Sequence, residues 1–137
     1  MESMSIDDII KPYSMVMKLL GSKVTLGRAR AVEWISKQNG EFTSPELVKG
    51  LGIKRTEGYD ILSDLEDLGL LRVKNMPSLP DDFMDWSIGR RQKYKKRIDY
   101  PRGKIYIVDP TRATGLLEKR KEEIDETIRW IEKFVRG

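Results

Sequence analysis

Between Gly89 and Lys104 the chain carries Arg90, Arg91, Lys93, Lys95, Lys96, Arg97, Arg102 and Lys104, with Asp99 as the one carboxylate. The segment therefore holds +7 while the whole chain holds +4, so everything outside it sums to −3. Cations at this density suit phosphate neutralisation. Each one set against a nucleic-acid backbone releases condensed counterions, and that release drives binding. Tyr94 and Tyr100, interleaved with the cations, are expected to stack on or hydrogen-bond to the same backbone. The bland alternative is a solvated charge run without a partner, and the concentration of +7 in one short stretch weighs against it, since such a stretch is rarely idle.

Composition closes off most other chemistry. The chain has no cysteine and no histidine. Disulfides, thiolate or ordinary zinc sites, Ser-His-Asp triads and imidazole bases are thereby excluded. An enzyme would have to be built from carboxylates, lysine and tyrosine, and no Gly-rich phosphate loop or other catalytic motif is present. The expectation is a binding protein with no catalytic residues, no metal and no cofactor. A nuclease-like activity ranks last, and no small-molecule effector is expected. The apolar stretch near the start is broken by Lys11, Pro12 and Lys18, so neither a signal peptide nor a membrane span is expected, and the location is read as cytoplasmic.

The elements that must position these cations are legible from spacing. Ile61, Leu62, Leu65 and Leu68 lie three and four apart, with Tyr59 beside them, and form one helical stripe. Gly69 stops that helix, and Leu70 to Lys74 alternate as a half-buried strand. Just upstream, Ser44 is read as an N-cap with Pro45 at the first helical position, and Gly50 and Gly52 mark the end of a helix of about two turns. Two helices joined by a short Gly-containing turn make a helix-turn-helix unit. A preceding helix spans about Thr25 to Gln38, burying Leu26, Ala29, Val32 and Ile35, with Asn39-Gly40 as its stop; Glu41 to Thr43 is a short edge strand.

The stretch Ile53 to Val73, IKRTEGYDILSDLEDLGLLRV, resembles the TrmB-like archaeal transcriptional regulators and, more loosely, other winged-helix regulators. Arg55, the Tyr59 to Leu62 stretch, Leu65-Glu66 and Gly69-Leu70-Leu71 carry the resemblance. It implies a winged helix-turn-helix fold, duplex DNA as partner, and Arg55 as a contact. Some members add a sugar-sensing domain, for which this chain leaves no room, so sugar sensing is not inherited. Lys54, Arg55 and Thr56 occupy the tip of the recognition helix, where the helix dipole favours phosphate; Ser44 and Tyr59 join them as candidate contacts. Glu57, Asp60, Asp64 and Asp67 form an acidic strip along the outward face, which repels phosphate and argues that the helix enters a groove by its tip alone.

The expected fold class is mainly α with a small antiparallel β-sheet. It divides into an N-terminal helical extension over residues 1–22, a winged helix-turn-helix domain over residues 23–109 and a C-terminal dimerisation helix over residues 110–137. Ile6, Ile9, Ile10, Tyr13, Val16, Met17 and Leu20 give the extension its helical spacing, interrupted at Pro12. Between the strand ending near Lys74 and the strand Lys104 to Val108, residues 75–103 form an unusually long wing loop, acidic and aromatic in its first half around Phe83 and Trp86, basic in its second. In the last helix, Leu117, Ile124 and Ile131 repeat at seven, and Ile128 and Val135 fill the alternate positions of a coiled-coil seam weakened by Lys121. The alternative for this stripe is packing on the chain's own N-terminal helix, but it outruns what one small domain can cover, and these five residues are the expected interface of a homodimer. Trp34 and Trp86 are assigned to packing, as is Trp130, which lies off the seam and is the candidate for a second contact surface. Two further readings stand beside the dimeric regulator: a protein-interaction module of the transcription machinery, and an architectural binder without sequence preference.

Overall fold

The computed structural model describes residue 18 and residues 25–136. The expected extension over residues 1–22 lies outside the described residues apart from Lys18, which is helical and exposed. The chain is mainly helical with a small three-stranded antiparallel sheet.

Helix α1, Leu26–Ser36, starts at Thr25, whose hydroxyl accepts from the Arg28 N–H at 3.2 Å. Its buried residues are Ala29, Ala31 and Ile35, while Leu26 is 65% exposed. The inward face thus turns toward Ala31, and Leu26, at the first position of the helix, lies off it. Strand β1, Glu41–Thr43, leads directly into helix α2, Ser44–Leu51. The N-cap of α2 is Thr43, one residue before the expected Ser44. Thr43 keeps extended backbone angles and forms a capping box with Glu46: its hydroxyl accepts from the Glu46 N–H at 3.4 Å, and the Glu46 carboxylate accepts from the Thr43 N–H at 3.1 Å. Two orphan amides are satisfied reciprocally. Ser44 is already helical and is buried.

Helix α2 ends at Gly52, and helix α3 spans Arg55–Asp67. The two helices approach closely at Gly58, where an added Cβ would stand 2.6 Å from Val48 Cγ2. Only a residue without a side chain lets this crossing close. After α3 the chain reverses through Gly69 at φ +81°. The Leu70 N–H donates to the Leu65 carbonyl and the Gly69 N–H to the Glu66 carbonyl, each at 3.0 Å. That pair of bonds is the Schellman termination that a left-handed glycine permits.

Strand β2, Leu71–Val73, and strand β3, Ile105–Val108, complete the sheet in the order β1-β3-β2. Phe42 stands opposite Tyr106, and Val73 pairs with Tyr106 from the other side. The main core gathers Phe42, Leu47, Leu62, Leu65, Leu68 and Val73, each almost fully removed from water. Trp34 packs edge-on against Phe42 with ring centroids 5.5 Å apart, as expected of a packing residue.

Residues 75–103 are not an open wing loop. They contain a single 3-10 turn, Phe83–Asp85, and a helix α4, Ile88–Arg97, capped by Ser87, whose hydroxyl accepts from the Arg90 N–H at 3.2 Å. The insertion has a small core of its own. Phe83, fully buried, meets Trp86 and Tyr94 at centroid distances of 5.4 and 5.8 Å, and Trp86 meets Tyr94 at 5.3 Å. Helix α5, Thr111–Arg136, has 26 residues and extends about 39 Å at ~1.5 Å per residue. Its first turns pack on the body through Arg112, Ala113, Leu116 and Leu117, and from residue 118 onward every described residue is exposed. Among the described residues, no helix is long and apolar enough to cross a membrane.

Candidate nucleic-acid interface

Helix α4 sorts its charges by face. Arg91, Tyr94, Lys95 and Ile98 recur at offsets of three, four and seven, and all four are half-buried. Arg90, Lys93, Lys96 and Arg97 are exposed. In an ordinary surface helix the inner stripe is apolar. Here two of its four members are cations, and they are buried by their stems while their charged ends find carboxylates and a sulfur.

Lys95 carries most of that anchoring. Its ammonium lies 3.3 Å from Glu66, forms a close ion pair with Asp67, and donates to the Ser63 hydroxyl at 2.9 Å. The Tyr100 O–H donates to Glu66 at 3.2 Å, and Lys104 sits 3.9 Å from the centre of the Tyr100 ring. Arg91 reaches Met84 Sδ at 3.4 Å. From the far side, the buried Arg112 guanidinium donates to the carbonyls of Glu66 and Asp67, satisfying the last turn of α3 where the helix dipole is negative. Burial drives the Asp67 carboxyl above its ordinary value, and Lys95 draws it back only in part. Burial, reinforced by the Glu66 charge, also raises the Tyr100 phenol, so it remains a donor at neutral pH. Burial lowers the Arg112 guanidinium from its ordinary value, with Asp67 the largest opposing charge.

This cluster revises the acidic strip. Asp64 is ion-paired to Arg28 of α1, and Asp67 to Lys95 of α4. Only Glu57 and Asp60 of the four remain exposed. Thr56, Asp60, Ser63 and Asp67 share one face of α3, at offsets of four, seven and eleven. Helix α4 therefore docks over the C-terminal half of the face whose N-terminal end carries Thr56. The part of α3 left open is its tip, with Lys54, Arg55 and Thr56 exposed and no side chain capping the first turn. Arg55 lies 6.0 Å from the ring centre of Tyr59, which is itself 44% exposed.

The candidate contacts thus separate into two groups. Exposed are Lys54, Arg55, Thr56 and Tyr59 at the tip, Arg90, Lys93, Lys96 and Arg97 on the outer face of α4, and Arg102 beyond it. Arg90 stacks over Trp86 at 3.8 Å, which holds its guanidinium in place without neutralising it. Turned inward are Lys95 and Arg91, with Tyr94 and Tyr100, so these four serve the fold of the insertion. Ser44 is buried at the start of α2, and Lys104 is half-buried over Tyr100. Sequence reasoning passed over Arg28, Ser63 and Arg112, and it named Glu66 only as part of the resembling stretch, without a role. Each carries an ordinary surface signature, and only its partner, 34 to 46 residues away for most of these bonds, reveals its role.

The expected dimer residues also divide. Leu117 packs on the chain's own core, whereas Ile124, Ile128 and Ile131 are each 48% exposed and Val135 is 76% exposed. Trp130 and Phe134 stack on one another at 5.6 Å and are exposed as well, so among the described residues the aromatic partner of Trp130 lies within its own helix. Comparison with protein-family models, with curated proteins and with solved structures returns no match for this chain.

Proposed function

We propose that this chain is a winged helix-turn-helix protein, similar to the TrmB-like regulators, that binds duplex DNA as a dimer and acts in transcription regulation. The observation that supports it best is the outer face of α4. Arg90, Lys93, Lys96 and Arg97 are exposed there with no carboxylate in ion-pair reach among the described residues, and the helix stands beside an α3 whose Asp64 and Asp67 charges are already consumed. The tip of α3 enters the groove through Lys54, Arg55 and Thr56, and Tyr59 supports Arg55. The outer face of α4 lies along the phosphates and supplies most of the affinity. No covalent chemistry is involved.

Fluorescence anisotropy on labelled duplexes over a salt series tests this division of labour. Replacing Arg90, Lys93, Lys96 and Arg97 by alanine is expected to weaken binding to every sequence and to flatten the log Kd against log salt slope by up to roughly 3.6, at ~0.9 per lost phosphate contact. An unchanged slope removes α4 from the interface. Selection of sheared genomic fragments then separates a sequence-specific regulator, which enriches sites sharing an inverted repeat, from an architectural binder, which recovers fragments uniformly. The exposed carboxylates Glu57 and Asp60 beside the cationic tip favour one second reading, a protein-interaction module docking on a mixed-charge partner; absence of DNA binding at near-physiological salt selects it.

A further inference from the structure

We infer that a second copy of this chain covers the exposed stripe of α5, and that the two helices run parallel and in register. The inference rests on the dimeric reading above and adds the direction of pairing.

In the heptad notation abcdefg, the spacing assigns Leu117, Ile124 and Ile131 to d, and Lys121, Ile128 and Val135 to a. The isoleucines at 124, 128 and 131 are equally exposed, at 48% each, as residues of one continuous seam would be when nothing lies on it. A long amphipathic helix in water gains little unless that seam is buried.

The flanking charges decide direction. The e positions are Glu118, Asp125 and Glu132, all acidic; the g positions within the free part of the helix are Arg120, Thr127 and Phe134. In an antiparallel pair e positions meet e positions. Aligning Val135 with Leu117 of the other copy sets Glu118 against Glu132 at each end and Asp125 against its twin in the middle. Sliding the register by a heptad leaves the e positions facing one another and acidic still. In a parallel pair each g meets the e of the following heptad on the other chain. Arg120 then faces Asp125, twice by symmetry, and Thr127 faces Glu132, with no like-charge contact between those rows. Within one chain Arg120 pairs with Glu123 at 3.2 Å, an exposed contact that it can exchange for Asp125 of the second copy.

Lys121 fits the same scheme. A single lysine at an a position sets register and oligomer state at a cost in stability. Parallel pairing stacks Lys121 on its twin, where both ammonium groups extend to solvent, whereas the antiparallel alignment drives it against Ile131. Isoleucine at both seam positions would by itself admit three-chain packing; the lysine in the seam opposes that closed core. Parallel pairing also sets both bodies at the Leu117 end of the coil, so the two α3 tips belong to one end of the dimer.

The test uses the full chain, which has no native cysteine. Single variants I124C and I131C are equilibrated in a glutathione redox buffer, with E126C on the outward f position as control. In the parallel, in-register pair both seam variants link to themselves roughly tenfold more than the control, since pairing raises the effective thiol concentration. Light scattering on the unmodified chain is read alongside. A dimer whose seam variants link no better than E126C overturns parallel pairing and leaves the dimer standing; a trimer overturns the two-stranded arrangement; a monomer overturns the dimer reading itself. As a second measurement, R120E is expected to raise the dimer dissociation constant several-fold and R120E/D125R to restore it. Because D125R does nothing for the contact with Glu123, which is lost equally in both variants, a rescue reports the Arg120–Asp125 pairing and its failure overturns that pairing.

Discussion

Replacing Lys95 by methionine removes the charge that holds α4 against α3 while keeping the length and packing of the side chain. The side chains of Lys95, Glu66 and Asp67 are 20%, 11% and 17% exposed, so the variant leaves two carboxylates side by side in a mostly dry site. Removing one partner of a buried ion pair costs about 3–5 kcal/mol. The residual solvent contact, and the Tyr100 O–H that still donates to Glu66, set the expectation at the lower end, about 3 kcal/mol. The loss depends on pH. Burial already raises the Asp67 carboxyl above 3.8, and without Lys95 it rises further. A carboxyl raised in the folded state favours folding below its unfolded value and withdraws that contribution as pH climbs through the folded value. Urea denaturation at about pH 7 and about pH 5 is therefore expected to give a smaller loss at the lower pH. Hydrogen exchange is expected to show α4 amides losing protection before those of α3. A loss under ~0.5 kcal/mol at both pH values with α4 protection unchanged would refute the argument, since that is the size of an exposed surface bridge.

Two further perturbations follow from local geometry. In G58A the new Cβ meets Val48 Cγ2 at 2.6 Å; overpacking of ~1–3 kcal/mol against a helix-propensity gain of ~1 kcal/mol leaves a net loss of about 1 kcal/mol, seen as a lower urea midpoint. Adding V48A should then turn G58A neutral or stabilising, and a G58A variant that stabilises the unaltered chain contradicts the close crossing of α2 and α3. Asp109 accepts from Arg72 at 2.9 Å and from the first amide of α5 at 3.2 Å, and these bonds hold its carboxyl below 3.8. Its stabilising contribution is present above that value and lost as pH falls below it, so D109N should flatten the acid side of the stability curve; an acid side like that of the unaltered chain removes Asp109 from the linkage.

The helices of the body and the short strands were legible because their signals are local. The stripe Ile61, Leu62, Leu65 and Leu68 names a helix and its buried face at once, and all four are buried. Gly69 ends α3 in the expected conformation because few other residues adopt a positive φ without strain. Where two cap formers stand together, as Thr43 and Ser44 do, locality fails by one residue: the choice went to Thr43, whose third neighbour Glu46 closes the reciprocal bond. Leu26 was misplaced for a similar reason, since periodicity names a stripe but not where the helix starts along it.

Helix α4 was illegible for a different cause. Its inner face is Arg91, Tyr94, Lys95 and Ile98, a stripe that hydrophobic periodicity does not register as buried, and its cations read as one solvated or DNA-facing run. The tertiary structure alone brings Lys95 to Glu66 and Asp67 and Arg28 to Asp64, so that a +7 segment divides into charges spent inside the molecule and charges left outside. The amino-acid sequence by itself determined the elements with local codes, the absence of cysteine and histidine chemistry, and the concentration of positive charge in one stretch. Which of those charges face solvent was decided by the fold, because the energy of a charge depends on the partners and the water around it, and neither is a property of its place along the chain.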